Sequence, residues 1–276
     1  HMAWQNIALF PEWNCDVPIY LANHHRGFMH EWLRYQAFYL MEYWRMKHGE
    51  DMLGRVWRES ESHEDPITAY KRIAGLSQDQ FNAEVWESAC HDITWDYPLG
   101  GYLRRIVDRQ SEADRQTWYT HKTRLIAENG YYRSYPDTVT ADHGTEQNIA
   151  FTPHDYGYNA FQLSVPEGGT TVTAEFEGIT GDSRYRTVGD SKAGWRFGFV
   201  GVQGSWTPVY GDMGEATGTA PQASVSFTVP GGGLKQLWFV VSGAPTRHEP
   251  HVWDDDVGND EEYPYRVKFV NTEVKN

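Results

Sequence analysis

The chain has 276 residues, room for two domains, and carries 24 basic against 38 acidic side chains for a formal charge of -14. A surface that acidic repels phosphate backbones and anionic bilayers, so nucleic acid and membrane are set aside as partners. No apolar run approaches the ~20 residues that span a bilayer, while aromatics reach 15%, with 12 Trp and 17 Tyr, suited to a core or to platforms under sugar rings.

His1-Met2 reads as a tag remnant and is excluded from fold reasoning. Residues 30–48 carry Trp32, Leu33, Phe38, Met41 and Trp44 at helical spacing, with Gly49 as the stop. Glu50 and Asp51 open a short helix through Trp57, acids suiting its first turn. Asp65-Pro66 is an N-cap followed by proline at the first helical position, starting a helix over 67–74 that ends at Gly75. Ser77 and Gln80 form a capping box opening a helix through Phe81, Val85, Trp86 and Ala89 towards Ile93. Pro98 and Gly100-Gly101 break the pattern, which resumes over 103–110.

The character changes between Thr117 and Tyr135. Residues 161–165, 171–176, 195–200 and 223–229 read as strands, punctuated by turn clusters at 166–169 and 230–233. Residues 237–241 form a continuous apolar run, expected as a central strand buried on both faces, and 265–270 is the last strand. The expected class is α+β: an N-terminal helical subdomain over 3–120, then a C-terminal antiparallel β-sandwich of jelly-roll type over 121–276.

Four constellations bear on chemistry. His24, His25, His30 and Glu31 cluster, but His30-Glu31 lacks the second histidine of H-E-x-x-H, because Arg34 stands there. His25 and His30 are five apart, a poor fit to one helix face, so this stretch reads as a polar loop leading into a helix. Asp254, Asp255, Asp256, Asn259 and Asp260 form a compact acidic loop, the place in this chain for calcium or another hard cation. Paired carboxylates of glycosidase type cannot be picked out without geometry. There is no G-x-S-x-G elbow and no P-loop. Cys15 and Cys90 are expected to be bridged if the protein is secreted. Among the tryptophans, Trp238 belongs to the core strand, whereas Trp206, between Gly204-Ser205 and Pro208, and Trp253, beside the acidic loop, are the candidates for ligand contact.

Several segments together carry a family likeness: Pro11-Glu12-Trp13-Asn14-Cys15, the stretch 53–60, Glu64-Asp65-Pro66 with Ala69-Tyr70, Tyr156-Gly157-Tyr158-Asn159, and 237–245 running into Trp253–Glu261. The chain resembles secreted gluzincin-like proteins known as avirulence or virulence factors of plant-pathogenic bacteria. The resemblance implies a secreted, zinc-metallopeptidase-like parent acting on extracellular, plant cell-wall protein. It implies zinc on an H-E-x-x-H helix plus a downstream glutamate, for which Glu12 is the one candidate here. The motif is absent from this sequence, so the resemblance places it upstream of Ala3 and makes this chain the C-terminal part. The second expectation is a carbohydrate- or cell-wall-binding sandwich with a helical partner domain. The expected partner is an extracellular protein or glycan, and the chain is expected to be a monomer.

Overall fold

A computed structural model describes residues 16–33, 37–98, 121, 123–137, 150–251, 254 and 256–275. The helices come first. Helix α1, Asp16–Asn23, was not expected. Pro18 lies in its first turn, where its missing N–H is no loss. A single 3-10 turn, Glu31–Leu33, precedes α2, Phe38–His48, and α3 is Met52–Glu59. Helix α4, Pro66–Ala74, is capped by Asp65, whose side chain accepts from the Ile67 and Thr68 amides, and it ends at Gly75 with φ +72°. Helix α5, Gln78–Asp92, starts on the Ser77/Gln80 capping box with both reciprocal hydrogen bonds present. The expected helix over 103–110 lies outside the described residues.

Among the described residues ten strands follow: β1 Leu125–Glu128, β2 Tyr131–Ser134, β3 Tyr158–Leu163, β4 Thr171–Gly178, β5 Gly194–Val202, β6 Pro208–Tyr210, β7 Gly214–Thr217, β8 Gln222–Thr228, β9 Gln236–Gly243 and β10 Tyr265–Val270. They form two antiparallel sheets. The first runs β1-β2-β10-β4-β8; the second runs β3-β9-β5-β6, with β7 also on β5. The sandwich expectation therefore holds, and the class is α+β.

The two faces of β9 show how the layers are built. Leu237, Phe239 and Val241 point into the core between the sheets, with Phe176, Phe197, Phe199 and Tyr265. Trp238 and Val240 point the other way, into a second core shared with the helices. Strand 237–241 is buried on both faces because helices cover the second sheet from outside. Helix α5 makes that contact. Trp86 donates its indole N–H to the Val240 carbonyl at 3.2 Å, and Asn82 donates to the Pro245 carbonyl at 2.9 Å. Gly198 of β5 permits the approach, since a Cβ there would sit 2.7 Å from the Trp86 ring.

A polar knot lies in the helix-side core. The Asp92 carboxylate accepts hydroxyl protons from Tyr97 at 2.6 Å, Tyr20 at 2.7 Å and Tyr158 at 3.0 Å. His121 Nε2 is 2.9 Å from the Tyr158 hydroxyl. Burial pushes Asp92 up to about 7, with the tyrosine hydroxyls pulling it back, and burial pushes His121 down to about 3. The two groups act oppositely on stability. Raised Asp92 contributes stability below its unfolded value near 4 that is lost as pH rises through about 7. Lowered His121 contributes stability above its unfolded value near 6.5 that is lost as pH falls towards 3. Relative to wild type, Asp92→Asn is expected to steepen the loss of stability on acidification from pH 7 to 4. His121→Gln is expected to do the reverse, each by at most about 1.4 kcal/mol per pH unit. Denaturant midpoints across that range test this, and parallel profiles for both variants would contradict it.

A candidate metal centre between the helical layer and the sandwich

Four chain segments converge where the end of α1 meets the sandwich. The first is the loop after α1, residues 24–31. The His24 carbonyl accepts from the Tyr158 amide and the His25 carbonyl from the His154 amide, both at 2.8 Å. The second is the segment 150–157 leading into β3, tied to β9 by the Tyr156 amide to the Gly243 carbonyl at 3.1 Å. The backbones pass so closely that three glycines are required. A Cβ on Gly157 would strike the His25 carbonyl, one on Gly243 the His154 carbonyl, and one on Gly27 the Asp155 carbonyl. The third segment, after β2, supplies Asp137. The fourth supplies Asp260 and Glu262. Glu262 fixes two of these pieces by accepting from the amides of Asp137 and Arg186, both at 2.7 Å.

This architecture gathers His25, Asp137 and His154, and beside them His30 and Asp260, into two overlapping donor sets that share His154. All five are buried, none more than 8% exposed. His154 Nε2 lies 3.2 Å from Asp137 Oδ2, and His25 Nε2 lies 3.8 Å from that same oxygen. A tetrahedral ion with bonds near 2.0–2.1 Å separates its donors by about 3.3 Å, so the spacing brackets what such an ion needs. On the far side of the ring, His154 Nδ1 lies 3.6 Å from Asp260 Oδ2. That is beyond hydrogen-bond reach, and the same oxygen lies closer to His30 Nε2, at 3.1 Å.

The satisfaction of the polar atoms separates the two sets. Both ring nitrogens of His25 are buried without a hydrogen-bond partner, which is costly unless something else engages them, whereas Asp260 Oδ2 has His30 Nε2 beside it. His30 is different. Its Nδ1 accepts from the Trp32 amide at 3.1 Å and its Nε2 lies 3.1 Å from Asp260 Oδ2, so both of its nitrogens already have partners. His25, Asp137 and His154 are therefore the better ligand set.

The electrostatics agree with a cation. Arg26 and Arg186 each hold a guanidinium nitrogen 3.7 Å from Asp137 Oδ2. Asp260 and Glu31 also stand near Arg26, and Glu262 stands 3.8 Å from Arg186. Burial holds His25 down near 3 although Asp137 pulls it up; burial likewise lowers His154. Neutral imidazoles are the form that binds metals. Burial alone would raise Asp137, but the neighbouring His154 and His25 hold it well below the usual carboxylate range. Beside the cluster, Gly27, His30, His154, Tyr156, His248 and His251 line a cavity of about 10 Å³, space for one water.

The residues expected from sequence are redistributed. Asp260 turns inward to the histidines. Asp254 and Asp256 close turns instead: Asp254 accepts from the Asp256 amide at 2.9 Å and the Asn259 amide side chain at 3.1 Å, and Asp256 accepts from the Gly258 amide at 2.9 Å. Asn259 is exposed. Among the described residues the loop carboxylates thus do not converge as a calcium cage. Asp255 and Trp253 lie outside the described residues, as do Glu12 and Cys15; Cys90 is a buried free thiol. Trp206 is half-buried against the helix-side core rather than presented as a platform, and among the described residues Trp57 is the exposed tryptophan, at 87%. The stretch His24–Glu31, which reads in sequence as a polar loop, holds two of the clustered histidines. Asp137 and His154 carry no local signal.

Fold and site define a helix-covered β-sandwich with a buried His/Asp donor cluster at the seam. The chain belongs to DUF6055, a family of unknown function whose profile matches residues 1–276. No curated protein matches it. Among solved structures, a family GH115 4-O-methyl-alpha-glucuronidase, BtGH115A, described as specific for decorated arabinogalactans, aligns at 11% identity and a TM-score of 0.26. That alignment covers 74% of this chain and 27% of the enzyme, and so low a likeness assigns neither fold nor activity.

Proposed function

We propose that this chain is a non-catalytic, metal-clamped region of a secreted, gluzincin-like protein. In this reading a divalent transition metal on His25, Asp137 and His154 fastens the helical layer to the sandwich. The observation that carries it is the burial of His25, Asp137 and His154 with donor atoms within 4.8 Å of one another. Two imidazoles and one carboxylate favour zinc, cobalt, nickel or iron over calcium. The segments quoted above support the secreted, peptidase-like parent, whose own zinc would sit on a motif this sequence does not contain. A clamp of this kind leaves the outer sandwich surface free for contact with an extracellular partner.

Chelator-treated protein returned to excess zinc tests the proposal. At 100 times the dissociation constant a native-state ligand adds about 2.7 kcal/mol, which for this size is a rise in melting temperature of roughly 5–10 °C. His25→Ala is expected to abolish the rise. Panels of peptide and glycoside substrates are expected to show no turnover. A melting temperature indifferent to zinc would remove the clamp, and turnover lost in His25→Ala would make the centre catalytic.

A further inference from the structure

The outer face of the first sheet carries a groove of about 480 Å³, within the ~300–1,000 Å³ range of small-ligand sites. It crosses three adjacent strands. Arg133 of β2 and Glu177 of β4 both register with Arg266 of β10 between them, so the three form one row. The β1–β2 turn, with Asn129, closes one end, and the loop after β4 closes the other with Asp182 and Arg184.

The lining is polar and charge-balanced. Each guanidinium has its own carboxylate: Arg266 donates to Glu177 at 2.7 Å, Arg184 to Asp182 at 2.6 Å, and Arg133 to Glu128 at 3.3 Å. Arg266 also lies over the Tyr131 ring, 4.8 Å from its centroid. The guanidiniums and carboxylates are therefore held in place as fixed donors and acceptors, side by side with an aromatic ring.

Three ligand classes fit poorly. An anion would compete with a carboxylate already on each arginine, under the field of a chain carrying -14. An apolar ligand would strand charged groups without water. A peptide strand would need a sheet edge to extend, and Arg133, Arg266 and Glu177 lie in the middle of the strand order β1-β2-β10-β4-β8 rather than along an edge. A polyhydroxylated neutral molecule fits, because each hydroxyl both donates and accepts and can join a guanidinium to its carboxylate without breaking the pair. We infer that this groove binds a neutral oligosaccharide. The inference is independent of the metal clamp, since the groove shares no residue with it.

The test is calorimetric titration of the whole chain with neutral xylo-, cello-, manno- and galacto-oligosaccharides of three to six units, and with tri-galacturonate as the anionic probe. At least one neutral probe is expected to bind with a dissociation constant of about 1 mM or tighter, unchanged within about twofold between 50 and 500 mM NaCl, since no net charge is screened. Tyr131→Ala and Glu177→Gln are each expected to weaken it at least tenfold while zinc content stays as in wild type. If Tyr131→Ala does not fold, Glu128→Gln replaces it with the same expectation. Absence of binding by all neutral probes, equal binding by the variants, or binding of tri-galacturonate alone with steep salt dependence would each overturn the inference.

Discussion

Asp137→Ala is expected to lower the melting temperature by roughly 10 °C and to abolish stoichiometric binding of zinc. Asp137 is 5% exposed and faces Arg26, Arg186, His25 and His154 at 3.2–3.8 Å. Removing it leaves two guanidiniums confronting each other inside the seam. Breaking a buried charge pair costs about 3–5 kcal/mol, and each kcal/mol moves the midpoint of a chain this size by roughly 2–4 °C. Asp254→Ala is the control, because the Asp254 side chain closes a turn and the substitution keeps its backbone amide on Glu31; it is expected to cost under about 1 kcal/mol and to leave zinc binding intact. Thermal melts and metal analysis of both variants decide the matter. A drop of equal size in both, or retained zinc in Asp137→Ala, would show that Asp137 is not the hub of the centre.

Gly157→Ala is expected to destabilise by about 3 kcal/mol, the upper part of the range for overpacking, and to weaken zinc binding although no donor is touched. The new methyl group would meet the His25 carbonyl, a backbone atom that cannot rotate away. The loop holding His25 must then withdraw from the segment holding His154, and the two hydrogen bonds at 2.8 Å that join them must lengthen. Gly169→Ala offers a contrast. Gly169 lies in the turn after β3 with φ +87° and nothing within 4 Å of an added Cβ, so it is strained without touching the centre. Urea midpoints and zinc titrations of the pair separate strain in general from strain on this seam. Zinc affinity unchanged in Gly157→Ala would break the link between close backbone approach and the geometry of the centre.

The elements most legible in the sequence are those fixed by neighbours in the chain. Asp65-Pro66 and the Ser77/Gln80 box announce their helices because a cap is satisfied within three residues. Strand β9 is legible because an apolar run with β-branched residues has few other places to go. The β1–β2 hairpin went unread although Asn129-Gly130 is the favoured turn pair, with φ of 52° and 80°; its strands are four residues each and barely alternate in burial. The centre was hidden for a different reason. His25, Asp137, His154 and Asp260 come from four separate stretches, and no spacing rule links them. The H-E-x-x-H template points to His30 and Arg34, and the acidic loop points to Asp254 and Asp256, which serve turns. Of the acidic-loop donors among the described residues, Asp260 reaches the cluster. Gly27, Gly157 and Gly243 are a trace of it in the sequence, and their reason appears only when the backbones are seen in contact.

The central claim is that one divalent ion joins the α1 loop to the sandwich. Crystals of the zinc-loaded chain, measured at the zinc absorption edge, test it most directly. The account predicts a single anomalous peak about 2.0–2.2 Å from His25, Asp137 and His154. No peak there, or a peak at Asp254 and Asp256 instead, would contradict it.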